Sequence, residues 1–263
     1  MCKLLNVSRK MIYYKYKDNT KKVDSNLENT IIKIFNKSYK SYGTRRIKIC
    51  LNELNIKSSR KKIGYIMNKY NLVSNYTIKH YKVHKNKCNN EIKENIIKRN
   101  FNSKTRLNTI VSDLTYVKVG SKWTYICILI DLFNREIIGY SVGNKKDSEL
   151  VLKAFRSIKY SINRINILHT DRGLEFKNKK LDEFMKVFNI EHSLSYKGCP
   201  YDNAVAEATY KTIKTEFIFN KSFKNIEELE LKFSDYVNWY NNFRVHNSLG
   251  SLSPIQFLNK NIA

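Results

Sequence analysis

Apolar positions along the front of the chain fall at helical spacing. Leu27, Ile31, Ile34 and Phe35 mark one face of a helix over 24–40. A second helix opens at Tyr42-Gly43-Thr44 and runs through Ile47, Leu51 and Leu54, until Asn55 breaks it. Ser58 or Ser59 then caps a third helix, whose first turn holds Arg60, Lys61 and Lys62. Cations there oppose the helix dipole, so phosphate or base contact explains their position better than stability does. Ahead of these elements, MCKLLNVSRKMIYYKY reads as the back half of a helix-turn-helix. Leu4 and Leu5 would end one helix, Asn6-Val7 would turn, and Ser8 would cap a basic helix presenting Arg9, Lys10 and Lys15. The expectation is a helical DNA-binding region over 1–75, with its first unit partial.

Periodicity disappears over 76–105, which is rich in Lys and Asn and reads as a basic linker with a short helix near 91–99. His80, His84 and Cys88 have the spacing of half a zinc site, but paired cysteines and a fourth ligand are missing, so the linker reading stands.

Beyond Leu107 the pattern changes to β-branched and aromatic runs. Ile110–Val119, Trp123–Asp131 and Arg135–Val142, separated by short turns, predict an antiparallel meander. An amphipathic helix over Asp147–Ile162 and a buried strand at Ile165–His169 follow. Next come a helix near Lys179–Phe188, a strand near Ile190–Ser195, a Gly198-Cys199-Pro200 loop and a long helix from Asn203 to Phe219. Three strands followed by alternating helices and strands imply an α/β, or α+β, mixed sheet with helices on both faces, preceded by a small all-α region.

Charge sharpens this division. The chain has 263 residues and a net charge of +26. Residues 1–105 hold 26 Lys/Arg against 6 Asp/Glu, and the remainder 23 against 17. Codon bias toward Lys and Asn would enrich both halves alike, so the asymmetry points to a polyanion partner, DNA or RNA. Five cysteines without a C-x-x-C pair exclude a disulfide framework and a cysteine-rich zinc module. No run approaches the ~18 apolar residues of a membrane span, and the chain reads as cytoplasmic with no membrane partner.

Three carboxylates stand out by setting. Asp113 interrupts an apolar strand, where a buried charge needs a cation or donors. Asp171 ends a strand, with Gly173 allowing a sharp turn, and the two converge if their strands are neighbours. Glu207 lies on the last long helix with Asn203, Lys211 and Lys214 on its face. Taken alone, Glu207 reads equally well as a salt bridge to Lys211. Together the three would form an oxygen-ligand site for hard divalent cations.

Thirty-five residues, 172 to 206, separate Asp171 from Glu207, and Lys214 follows seven later. This resembles the D,D-35-E signature of retroviral-integrase-type transposases. HTDRGLEF, KGCPYDNAVAEATYKTIKTE and WYNNFRVHNSLGSLSP are similar to the corresponding blocks of bacterial insertion-sequence transposases of the two-reading-frame, copy-out type. The likeness covers 107–260 closely and 1–75 more loosely. It departs from many members in having Ile110-Val111 where Trp precedes the first aspartate. The resemblance implies an RNase H-like catalytic core over 106–225 and a C-terminal helical extension over 226–263. It implies that Asp113, Asp171 and Glu207 are catalytic and hold two Mg²⁺, with Mn²⁺ able to substitute. Lys214, Lys211 and Asn203 would lie near the scissile phosphate, and Tyr201 with Gly198 in a loop over the site. Arg45, Arg46, Arg60, Lys61, Lys62, Arg9 and Lys10 are the remaining DNA-binding candidates. Transposon ends and target DNA are the implied partners, with a homo-oligomer assembled on them and an upstream-frame DNA-binding protein or fusion completing the partial first unit.

Two other readings were open to the same residues. His169, Arg172 and Tyr201 have the order of a tyrosine recombinase, although that mechanism leaves Asp113 and Glu207 unexplained. A catalytically silent DNA-binding regulator derived from a transposase is the second. Trp239, Tyr240 and Phe243 read as packing residues of a C-terminal helix, with Arg244 and His246 placed to approach DNA.

Overall fold

The computed structural model describes residues 25–77, 103, 105–195, 204–219 and 221–262. The partial first helix-turn-helix, most of the linker and the Gly198 loop lie outside them.

The front helices are α1 (Ser25–Lys37), α2 (Thr44–Glu53) and α3 (Arg60–Lys69). Leu27, Ile31, Phe35, Ile47, Leu51, Ile63 and Ile66 form their own buried core, the stripe that the spacing predicts. Asn55, at φ 58°, ends the α2 turn in the left-handed region that Asn tolerates. Of the two candidate caps it is Ser59 whose Oγ accepts the Lys62 amide, at 3.1 Å. The core continues into Val245 and Trp239, so this unit is packed onto the C-terminal part of the chain.

The rest is built on a five-stranded sheet in the order β3-β2-β1-β4-β5. Strands β1 (Thr109–Val119), β2 (Lys122–Asp131) and β3 (Ile137–Gly143) form the expected antiparallel meander. Helix α4 (Ser148–Arg156) crosses over, and β4 (Ile167–Thr170) then pairs parallel to β1. Helix α5 (Lys179–Val187) leads to β5 (Glu191–Leu194), parallel to β4. This is the RNase H-like order, with β1 in the centre. Helices α6 (Ala204–Ile213) and α7 (Ile226–Asn242) cover one face, while α4 and α5 cover the other. Helix α8 (Pro254–Ile262) closes the described chain. Ile110 and Val111 are completely buried, one in each core layer, so the strand just before Asp113 packs on both faces without a Trp.

Three elements depart from the sequence pattern. The helix expected to run to Ile162 stops at Arg156, because the Ser157 hydroxyl bonds back to Ala154 O at 2.7 Å and accepts the Tyr140 amide at 2.8 Å. Arg135, expected to open β3, sits instead at φ 63° in the β2–β3 turn, its amide on Asp131 O. The long helix toward Phe219 becomes a π-helical turn at Lys214–Ile218. There Thr215 Oγ1 bonds to Lys211 O, and Glu216 is drawn inward onto Arg244.

Candidate active site

Parallel pairing of β1 with β4 sets Val111 beside His169. Two residues further along each strand lie Asp113 and Asp171, which brings the two carboxylates to the same end of the sheet. Asp113 pairs across the other edge of β1 with Ile128. Asp171 Oδ1 accepts the Gly173 amide at 2.9 Å and so tightens the turn after β4. A Cβ at Gly173 would fall 2.3 Å from Glu175 Oε1, so a side chain there would displace the Glu175 carboxylate. Glu207 projects from the first turn of α6 and is exposed.

The electrostatics report the same convergence. Burial pushes the Asp113 carboxyl up to about 7, and the charges of Asp171 and Glu207 push in the same direction. The Leu114 amide, 2.7 Å from Asp113 Oδ1, and the Lys146 charge only partly oppose this. Three carboxylates therefore share one field, short of positive charge. Among the described residues no three His, Cys, Asp or Glu side chains meet as a ready-made metal cage. The donor chemistry nevertheless fits a hard divalent cation: three carboxylates offering oxygen ligands and excess negative charge.

Two charged residues of this site escape a reading of the sequence alone. Lys146, in the loop before α4, forms an ion pair with Glu175, its Nζ 2.9 Å from Oε1. Burial works against its charge, but Glu175, Asp171 and Asp113 together hold its ammonium above the usual lysine range. Glu175 is buried four residues after Asp171. Its position in HTDRGLEF was the one available signal; for Lys146, in an exposed Asn-Lys-Lys run, there was none.

Tyr210, one turn after Glu207 on α6, is the third missed residue. Its hydroxyl donates to the backbone carbonyl of Asp113 and accepts the Ile128 amide at 3.0 Å. Lys214 is half-buried, with Nζ 5.2 Å above the ring of Tyr116 on β1, and Lys211 is exposed. Asn203, Tyr201, Arg9 and Lys10 lie outside the described residues. Arg45, Arg46 and Arg60 line a cleft beside α6, whereas Lys61 and Lys62 are exposed on α3 and do not line it.

The recombinase arrangement loses its base in the fold. His169 is completely buried on β4 with Nδ1 2.8 Å from Ser193 Oγ, and Arg172 Nε donates to Ser195 O at 2.9 Å. Arg244 and His246 are likewise withdrawn from DNA. Arg244 is bidentate to buried Glu216, at 2.8 Å to each carboxylate oxygen, and its Nη1 lies 3.2 Å from His246 Nε2. Tyr240 is buried and Trp239 packs against two cores, as expected of them, while Phe243 is exposed.

Comparison with known proteins gives a consistent picture. Two Integrase core domain families match residues 105–200 and 207–262, together more than half of the chain, and an HTH-like domain family matches 22–80. The transposase InsF for insertion sequence IS3A of Escherichia coli (strain K12) is 27% identical, the match covering 100% of this chain and 94% of that protein. The transposase for insertion sequence element IS904 of Lactococcus lactis subsp. lactis (strain IL1403) is 29% identical over 88% of this chain and 92% of its own length. Among solved structures, the HTLV-2 integrase catalytic core domain in complex with magnesium aligns with a TM-score of 0.45 and 18% identity, over 57% of this chain and 95% of that one. A simian T-cell lymphotropic virus intasome in complex with PP2A regulatory subunit B56 gamma aligns at 0.48 and 12% identity, over 86% and 73%. Strand order β3-β2-β1-β4-β5 and the two Integrase core domain matches agree on the same fold.

Proposed function

The chain belongs to the bacterial insertion-sequence transposases that carry an integrase core domain, and we propose that Asp113, Asp171 and Glu207 are its catalytic carboxylates. The reaction is phosphoryl transfer on DNA. A water or 3′-hydroxyl oxygen attacks a backbone phosphorus, and the 3′-oxygen on the opposite side leaves, first in cleavage of an insertion-sequence end and then in joining to target. The observation that carries this reading is the parallel β1–β4 pairing that brings Asp113 and Asp171 to one end of the sheet, with α6, whose first turn carries Glu207, tied to β1 by Tyr210.

Asp113, Asp171 and Glu207 would hold divalent metal, Mg²⁺ with Mn²⁺ able to replace it, and two ions suit the three carboxylates. Metal bound there supplies the Lewis acidity and charge neutralisation that in-line phosphoryl transfer needs. The protein's own part is positioning. Parallel β1–β4 pairing sets the two aspartates, Tyr210 ties the helix bearing Glu207 to β1, and Lys146 with Glu175 bounds the acidic cluster with a fixed cation. Lys211 on α6 and Lys214 in the π-helical turn after it extend the positive surface where the phosphates flanking the attacked bond would lie. Division into a helical DNA-binding region to 75, a linker to 105, a core to 225 and a C-terminal extension belongs to the same proposal. So does assembly of several copies on paired ends, with an upstream-frame partner.

Among the described residues no helix is long and apolar enough to cross a membrane. The regulator reading would require a protein that binds ends without cutting them, although it retains all three carboxylates in one field.

The test is an assay with duplexes carrying the element's terminal inverted repeats, in Mg²⁺ or Mn²⁺. Asp113→Asn and Glu207→Gln should each abolish nicking and strand transfer while retaining DNA affinity within about twofold. Cleavage that survives chelation, or a covalent protein–DNA adduct at Tyr201, would refute the assignment.

A further inference from the structure

We infer that Lys146 and Glu175 are a positioning pair for the metal site: together they brace the turn after β4, so that Asp171 presents its carboxylate to a divalent cation. This deepens the transposase reading above and rests on it. Neither residue is assigned a contact with DNA or with the reacting atoms.

Asp171 directly follows β4, and its Oδ1 accepts the Gly173 amide at 2.9 Å. Gly173 O in turn accepts the amides of Phe176 at 3.0 Å and Lys177 at 3.2 Å, which folds the chain back on itself around Glu175. The Glu175 carboxylate then lies directly against Gly173. A Cβ on that glycine would come 2.3 Å from Oε1, 2.5 Å from Cδ and 2.7 Å from Oε2. Any shift of the carboxylate is therefore felt at the residue whose amide holds Asp171. From the other side, Arg172 Nε donates to Ser195 O at 2.9 Å and ties the same turn to the end of β5.

Glu175 is 5% exposed, and a carboxylate so buried needs a cation. Among the described residues it is Lys146 that supplies one, at 2.9 Å. Lys146 directly precedes Asp147, the cap of α4, whose Oδ1 accepts the Leu150 amide at 3.1 Å. The ion pair therefore fastens the start of α4 to the turn that carries Asp171. The charges of Asp171 and Asp113 also act on Lys146, which places its ammonium beside the cluster it braces. A cation so placed acts on a bound metal in two ways of opposite sign. As a charge alone it repels the metal, and its removal would tighten binding. As a brace it orders a ligand, and partners of that kind are worth ~10- to 100-fold in metal affinity. The Lys146 side chain is 47% exposed, so water screens its repulsion, whereas the carboxylate it holds is buried. Bracing is the larger effect.

The experiment is Mn²⁺ binding by the full chain without DNA, read from the loss of the free-ion electron paramagnetic resonance signal, so turnover is not involved. Lys146→Met and Glu175→Gln should each weaken binding by about tenfold or more, while Lys146→Arg, which can still pair with Glu175, should stay within about threefold of wild type. The double variant Lys146→Met/Glu175→Gln should bind no more weakly than the worse single one, because the two residues act as a unit. In strand transfer, the Mn²⁺ concentration for half-maximal rate should rise by the same factor, with the rate at saturating metal and the metal-free DNA affinity retained. Thermal midpoints without metal identify any variant that fails to fold. Glu175→Gln leaves no unpaired buried charge, so it tests the pair even where Lys146→Met unfolds. Tighter Mn²⁺ binding by Lys146→Met, wild-type binding by Glu175→Gln, or single effects that multiply in the double variant would overturn the proposal. Asp113→Asn is the control for the site itself. If it bound Mn²⁺ as wild type does, the carboxylate assignment would fall and this inference with it; if it lost Mn²⁺ while the Lys146 and Glu175 variants kept it, the pair alone would be refuted.

Discussion

Tyr210 on α6 donates its hydroxyl to the backbone carbonyl of Asp113, and the same oxygen accepts the amide of Ile128, the residue paired with Asp113 across the β1–β2 ladder. One buried phenol thus ties the helix carrying Glu207 to the strand carrying the first aspartate, and Asp113 is held from both its carboxylate and its backbone. Burial keeps this phenol far above the usual tyrosine range, so it remains a neutral donor at every working pH.

Tyr210→Phe keeps the ring and removes the bond. Two buried backbone groups then lose a partner, which should cost about 1–3 kcal/mol in denaturant unfolding. Strand transfer should fall more than stability explains, with DNA affinity unchanged. Equal activity per folded molecule in variant and wild type would show that Tyr210 stabilises the protein without positioning the site.

Arg244 and Glu216 form a buried, bidentate ion pair, with side chains 6% and 0% exposed. Arg244→Met should destabilise the protein by about 3–5 kcal/mol, because Glu216 stays buried with only Arg46, at 3.8 Å, as a cation among the described residues. Adding Glu216→Leu should recover part of that loss. A single variant within about 1 kcal/mol of wild type would show that Tyr76, Tyr236 and Arg46 suffice to hold the carboxylate.

His246 is buried and held well below its ordinary value of 6.5, first by burial and then by the charges of Arg244, Arg46 and Arg135. The ring of Tyr240 packs edge-on against it, at 4.7 Å between centroids. In the unfolded chain this imidazole takes up a proton near 6.5, while in the folded chain it resists. Its stabilising contribution is therefore present above pH 6.5 and is lost as pH falls below that value. Thermal midpoints from pH 8 to 5 should show this decline, and His246→Gln, which keeps an acceptor toward Arg244, should flatten it. An identical acid limb in the variant would assign the decline to other groups.

Gly139, in the middle of β3, lies directly beneath α4. A Cβ there would come 2.6 Å from Ala154 O and 2.9 Å from Ile158 Cγ1. Because the first neighbour is helix backbone, Gly139→Ala should cost about 1–3 kcal/mol as the helix is displaced from the sheet. A midpoint equal to wild type's would mean that α4 shifts freely.

Local periodicity was enough to place α1, α2, α3 and the β1–β3 meander, since each buries one stripe or one face and its residues carry that pattern themselves. Residue type and setting likewise singled out Asp113, Asp171 and Glu207, since a carboxylate in an apolar strand or at a strand end stands out without any partner in view. What the sequence could not contain was pairing between distant positions. Parallel alignment of β4 with β1, which sets Asp171 beside Asp113, follows from the α4 crossover and the burial of both sheet faces. The Tyr210 bond spans 97 residues and the Arg244–Glu216 pair spans 28, and neither leaves a periodic trace. The same limit explains the errors. Arg244 and His246 look like DNA contacts until Glu216 is folded against them, and helix α4 looks longer until Ser157 turns its hydroxyl back onto it. Three cations in one helical turn look equivalent as sequence, whereas the packing of α3 against its neighbours turns Arg60 into the cleft and leaves Lys61 and Lys62 outside it. Composition and spacing determined which groups this protein has for its chemistry; packing of the helices onto the two sheet faces decided which of them meet.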